Sequence, residues 1–130
     1  MDGTGGTSLK ARCIGDTAII YASDYLNKLT GERIERECKR QLGLGRQAVV
    51  INFRDTELVN SIGVSMLMGV IDVVEETRAR LIFSDVNSQT ASLFEMLGLT
   101  RLVQIVKDET EALSALSSSR AESQRFTNGN

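Results

Sequence analysis

A chain of 130 residues with 42% apolar and 25% charged side chains is sized for one globular domain with a single core. Its net charge of -2, with both signs interspersed, provides no basic footprint for nucleic acid or an anionic membrane, so neither partner is expected. There is no histidine, no C-x-x-C spacing and no apolar run of about 18 residues, which argues against a metal site, a Ser-His-Asp device and a membrane span.

The polar opening Asp2-Gly3-Thr4-Gly5-Gly6-Thr7 is unlike a signal peptide, and residues 1–8 are expected to form a flexible N-terminus of a cytoplasmic protein. Leu9 to Ile14 alternates apolar Leu9, Ala11 and Cys13 with Lys10 and Arg12, the pattern of an edge strand with one wet face. Gly15-Asp16 then separates it from Thr17 to Tyr21, which predicts a tight hairpin. From Gly31 to Leu42 the charges crowd together while Ile34, Cys38 and Leu42 recur at helical spacing, so an amphipathic helix with a solvated charged face is expected. Cys13 and Cys38 both read as buried free thiols.

Ala48 to Phe53 is almost continuously apolar and β-branched, as in a central parallel strand covered on both faces. The polar turn Arg54-Asp55-Thr56-Glu57 leads to a helix from Ser61 to about Arg78. Ile62, Met66, Val70 and Val74 form one apolar stripe of this helix, Leu67 and Ile71 widen it, and Val64 and Met68 fall on another side. A helix apolar nearly all round must be buried under its neighbours or meet a partner. Leu81 to Ser84 is a further strand, and Asn87-Ser88 offers caps for a helix carrying Ala91, Phe94 and Leu97 that stops at Gly98. Leu102 to Val106 is the last strand, and Asp108-Glu109 opens a short helix with Leu113 and Leu116. From Ser117 onward the composition is polar, and residues 117–130 are expected to be a disordered tail beyond a domain of residues 9–116.

Strands alternating with helices imply an α/β fold: a mostly parallel sheet of four to five strands, an antiparallel N-terminal edge hairpin and about four flanking helices. In such sheets the working site lies at the carboxyl ends of the strands, which places Ser61 on the rim with Asp55 and Asp85 as candidate neighbours. A hydroxyl at a helix start has two uses, capping the helix or carrying a phosphate that the helix N-terminus tolerates. No phosphate-binding loop, catalytic serine elbow or cofactor motif is present, and carboxylate pairs such as Asp108-Glu109 and Glu75-Glu76 read as helix-terminal or surface charges. A binding module, not an enzyme, is expected.

The order of elements, with Val49-Val50-Ile51-Asn52-Phe53, Leu58-Val59-Asn60-Ser61-Ile62-Gly63-Val64 and Leu93-Phe94-Glu95-Met96-Leu97-Gly98-Leu99 at its key points, resembles the STAS domain over residues 9–116. It is similar in particular to the stand-alone anti-sigma factor antagonists of bacteria. That resemblance implies that Ser61 is a phospho-acceptor. The unphosphorylated protein would bind a serine-kinase anti-sigma factor, and a serine phosphatase would restore binding after phosphorylation. It also implies a partner-binding surface of Asp24, Tyr25, Asn27, Asn60, Ile62, Gly63, Val64 and Met68, and no cofactor. The chain departs from the family's pattern at Asn60 and Asn27, where acids are usual, and at Asp24, where glycine is usual. A non-phosphorylated scaffold subunit of a signalling assembly and a lipid- or nucleotide-sensing domain are the alternatives.

Overall fold

The computed structural model describes residues 9–117, and the expectations for residues 1–8 and 118–130 lie outside them. Strands β1 (Ala11–Ile14) and β2 (Thr17–Tyr21) pair antiparallel with Ile14 opposite Thr17. This leaves Gly15-Asp16 as a two-residue turn, and Gly15 takes the positive φ of +59° that glycine adopts without steric cost. Next come β3 (Tyr25–Leu26), α1 (Lys28–Gly43), β4 (Ala48–Asn52), β5 (Leu58–Val59) and α2 (Ser61–Glu76). The chain continues through β6 (Arg80–Ser84), α3 (Ser88–Met96), a 3₁₀ turn (Leu99–Arg101), β7 (Gln104–Val106) and a helix α4 over residues 109–117. The main sheet has the order β1-β2-β4-β6-β7, antiparallel only at the β1–β2 edge. This is the expected α/β architecture, with five strands in the main sheet and four α-helices among the described residues.

β2 and β4 are buried along their whole length because they are covered on both faces. Ile20, Val49, Ile51 and Phe83 project into one core with residues of α1, α2 and α3, including Ile34, Cys38, Leu67, Val70 and Phe94. Ile19, Val50 and Ile82, one residue out of phase, form a smaller core on the other face with Ala112 and Leu116 of α4. Three helices therefore share one face, and α4 lies on the other. Phe53, Phe83 and Phe94 interlock with ring centroids 5.1 to 5.7 Å apart and fix α3 against the ends of β4 and β6.

Several local expectations are corrected. α1 begins at Lys28 and not at Gly31, because Asn27 and Thr30 form a reciprocal capping box ahead of the charged run. Gly31 is instead a contact with α2: a Cβ there would sit 2.5 Å from Met66 Cβ. The Asp24 to Asn27 stretch, to which the sequence pattern assigns no element, contains a strand, since Tyr25 and Leu26 pair in parallel with Leu58 and Val59 as a separate two-stranded sheet. Two residues per strand carry no readable period. Cys38 is buried as expected, but Cys13 is exposed on the edge strand, with its Sγ 3.5 Å from Gln41 Oε1. Ser117 is still helical.

Candidate functional site

All parallel strands of the main sheet end at one pole, so the turns that follow them gather the starts of the helices there. α1, α2 and α3 are each capped by an asparagine. Asn27 Oδ1 accepts from Thr30 N at 3.0 Å, Asn60 Oδ1 from Gly63 N at 2.7 Å and Asn87 Oδ1 from Thr90 N at 2.8 Å. None of the three has an acidic residue in its first turn. The positive ends of these helix dipoles are thus left without a nearby carboxylate from their own first turns.

Ser61 is the first residue of α2 and is exposed. Because Asn60 does the capping, the Ser61 hydroxyl makes no hydrogen bond among the described residues. Asn60 also binds backward: its Nδ2 donates to Tyr25 Oη at 3.2 Å, and its backbone N–H donates to Leu26 O at 3.0 Å. Gly63 lies against the chain entering α1, where a Cβ would stand 2.6 Å from the Leu26 carbonyl carbon and 2.9 Å from Asn27 N. This close approach is why position 63 lacks a side chain. Tyr25, Asn27, Asn60, Ser61 and Gly63 therefore form one constellation, with Asp24 at its margin accepting from Glu57 N and Leu58 N through its carbonyl.

The apolar surroundings differ from the sequence expectation in one respect. Val64, read as part of a surface with Met68, is only 2% exposed and belongs to the core beneath α2. It lies on the buried face with Leu67, Val70, Ile71 and Val74, while the presumed stripe residue Ile62 points to solvent at 54% exposure. The α2 contact with α1 on one side and the sheet on the other rotates the helix to this setting. Ile62, Met68, Tyr25, Leu58 and Leu29 are the large apolar side chains left exposed at this end of α1, α2 and the small sheet. Their exposures run from 38% to 65%.

The loop before β5 is tied from three directions. Asn52 Oδ1 accepts from Arg54 N at 2.8 Å, Thr56 Oγ1 donates to Ser23 O at 2.6 Å, and Asn87 Nδ2 donates to Thr56 O at 3.2 Å. Buried Thr56 thus joins the turns after β2, β4 and β6 beneath the site. The candidate neighbours Asp55 and Asp85 make no hydrogen bond to Ser61 among the described residues. Asp55 is exposed and lies 3.8 Å from Arg54 Nε, and Asp85 follows β6 with a positive φ of 59°.

A second polar cluster escaped the sequence reading. Asp108 caps α4 through Glu111 N, as a helix-terminal acid should, but Glu109 turns inward. Its Oε2 accepts from Tyr21 Oη at 2.7 Å and from Asn52 Nδ2 at 2.8 Å, and its Oε1 pairs with Arg12 Nη2. Burial alone would push this carboxyl up. The hydrogen bonds from Tyr21, Asn52 and Arg12 outweigh it and hold Glu109 below the usual glutamate range. The signal that could have found it is the polar Asn52 closing an otherwise apolar central strand. Burial, with Glu37 and Glu35 nearby, pushes the Cys38 thiol up to about 12.

Among the described residues no group of histidine, cysteine and carboxylate side chains is placed to hold a metal ion, and no helix is long and apolar enough to cross a membrane. The STAS domain profile matches residues 8–112. Among solved structures the chain is similar to an RsbS variant from Moorella thermoacetica, at 14% identity over 87% of this chain and 97% of that one, with a TM-score of 0.76. It is also similar to an anti-sigma factor antagonist from Mycobacterium paratuberculosis, at 15% identity over 83% and 92% of the two chains with a TM-score of 0.72. The phosphorylated Bacillus cell fate determinant SpoIIAA is 19% identical over 84% and 99% with a TM-score of 0.64. At these identities the likeness is one of fold, and the profile match across most of the chain makes the protein a member of the STAS domain family.

Proposed function

We propose that this chain is an anti-sigma factor antagonist whose binding is switched by phosphorylation of Ser61. The carrying observation is the Ser61 hydroxyl, exposed and without a hydrogen bond among the described residues at the start of α2 while Asn60 caps the helix in its place. A kinase meets an accessible nucleophile whose loss to phosphate costs the helix no cap. Around it, Tyr25, Leu58, Ile62 and Met68 offer apolar contact area. The partner in this reading is a serine-kinase anti-sigma factor, bound by the unphosphorylated form at a surface of Tyr25, Asn27, Asn60, Ile62 and Met68. Gly63 and Val64 support that surface from beneath.

A phosphate brings about -1.5 to -2 charges and a tightly held water shell to the middle of this surface. Desolvating it against an apolar partner face is unfavourable, so phosphorylation releases the partner without refolding α2. A serine phosphatase then resets the switch. The chain acts as a binding module and not as a catalyst, and functions in the cytoplasm.

The direct test is incubation with a serine kinase of the anti-sigma type and ATP, followed by mapping of the phosphate by mass spectrometry. Modification at Ser61, abolished in Ser61→Ala, is expected. A kinase that is active on a control antagonist yet leaves Ser61 unmodified overturns the switch.

A further inference from the structure

Asn60 can meet the Gly63 N–H only with its carbonyl oxygen, since a backbone N–H requires an acceptor. The amide nitrogen is thereby turned toward Tyr25, and Nδ2 donates to Tyr25 Oη at 3.2 Å. A phenol oxygen used as acceptor still has its own proton to give. Tyr25 is 40% exposed, and its hydroxyl makes no other hydrogen bond among the described residues. The side chain bonded to the residue before Ser61 therefore ends in an unspent donor. An aspartate at position 60 would reverse this, because a carboxylate would accept from Gly63 N and from the tyrosine hydroxyl together.

The geometry points to Tyr25 as a phosphate-recognition residue: its hydroxyl, set as a free donor by the Asn60 amide, donates to a phosphoryl oxygen of phospho-Ser61. This rests on Ser61 being the phospho-acceptor and adds the side chain that holds the phosphate within the same chain. A hydrogen bond from O–H to a charged oxygen is short and strong, and it favours the dianion over the monoanion. The charges that flank this corner, Asp24 before β3, Glu57 before β5 and Lys28 opening α1, are the same in every variant needed for the test.

The test uses the full chain with phosphoserine inserted at position 61 during translation, so that no kinase is involved, and a ³¹P NMR titration of the phosphate. The wild-type second ionisation is expected below the value of about 6 usual for phosphoserine. Tyr25→Phe raises the midpoint by roughly half a unit, and Asn60→Asp raises it further by accepting the hydrogen bond of the tyrosine hydroxyl and adding a charge. A Tyr25→Phe midpoint equal to that of the wild type overturns the proposal, whatever any kinase does. Shifted midpoints in a protein that no kinase modifies at Ser61 uphold the phosphate contact and overturn the switch alone.

Discussion

Gly63 and Leu26 meet backbone to backbone, so that the first turn of α2 rests directly on the chain entering α1. Any side chain at position 63 drives into the Leu26 carbonyl and the Asn27 N–H, neither of which is the yielding tip of a flexible residue. Gly63→Ala is expected to cost about 3 kcal/mol in urea unfolding, the upper range for overpacking. Gly43→Ala is the control. Position 43 ends α1 with open space around its Cα, and alanine there is expected to add about 0.5 kcal/mol.

The division of labour between Asn60 and Ser61 separates two neighbouring substitutions. Asn60→Ala removes the cap of α2 and is expected to lower stability by about 1 kcal/mol. Ser61→Ala removes a hydroxyl with no hydrogen-bond partner among the described residues and is expected to change stability by less than about 0.5 kcal/mol. Thermal unfolding of the two variants reads the difference directly.

Binding is expected to respond to charge at position 61. With a serine-kinase anti-sigma factor immobilised, Ser61→Ala should bind within about twofold of wild type. Ser61→Asp should lose at least about tenfold, or 1.4 kcal/mol, through desolvation of a charge. Equal affinities for the two would count against a switch that works by charge.

Glu109 contributes stability that depends on pH. Its carboxyl is held below the usual glutamate range, so its stabilisation is fully present above the unfolded-state value of about 4.3 and is lost as pH falls through the lower folded-state value. Glu109→Gln is expected to cost about 2 kcal/mol near neutral pH, where a neutral amide replaces the acceptor of Tyr21 and Asn52. The gap between variant and wild type should stay constant down to about pH 5 and narrow progressively as pH falls below about 4.3. A gap that is independent of pH to the acid end would show that the ionised form is not what Tyr21, Asn52 and Arg12 hold.

The two cysteines should differ sharply toward a thiol reagent. Cys13 is exposed and should react in the native protein, whereas Cys38 is fully buried with its thiol pushed up to about 12 and should react only after unfolding. One modified thiol per chain in buffer and two in denaturant is the expected count.

The alternating pattern of the hairpin, the apolar run Ala48 to Phe53 and the Asn60-Ser61 start of α2 were all readable, because each depends on local periodicity or on capping chemistry. What was not readable depends on contacts distant in sequence. The Tyr25–Leu58 pairing joins strands too short to show a period. The burial of Val64 and exposure of Ile62 follow from how α2 is rotated against α1, which the near-uniform apolarity of the helix does not specify. Glu109 reaches residues 57, 88 and 97 positions away, so no window of sequence joins it to Asn52, Tyr21 and Arg12.

Thr56, by stitching together the turns after β2, β4 and β6, makes the end of the molecule around Ser61 a finished surface. A partner that docks there meets a shape already set, with little loop ordering to oppose association. Encounter would then proceed at the rate diffusion and charge allow, and control of the complex would fall on its lifetime.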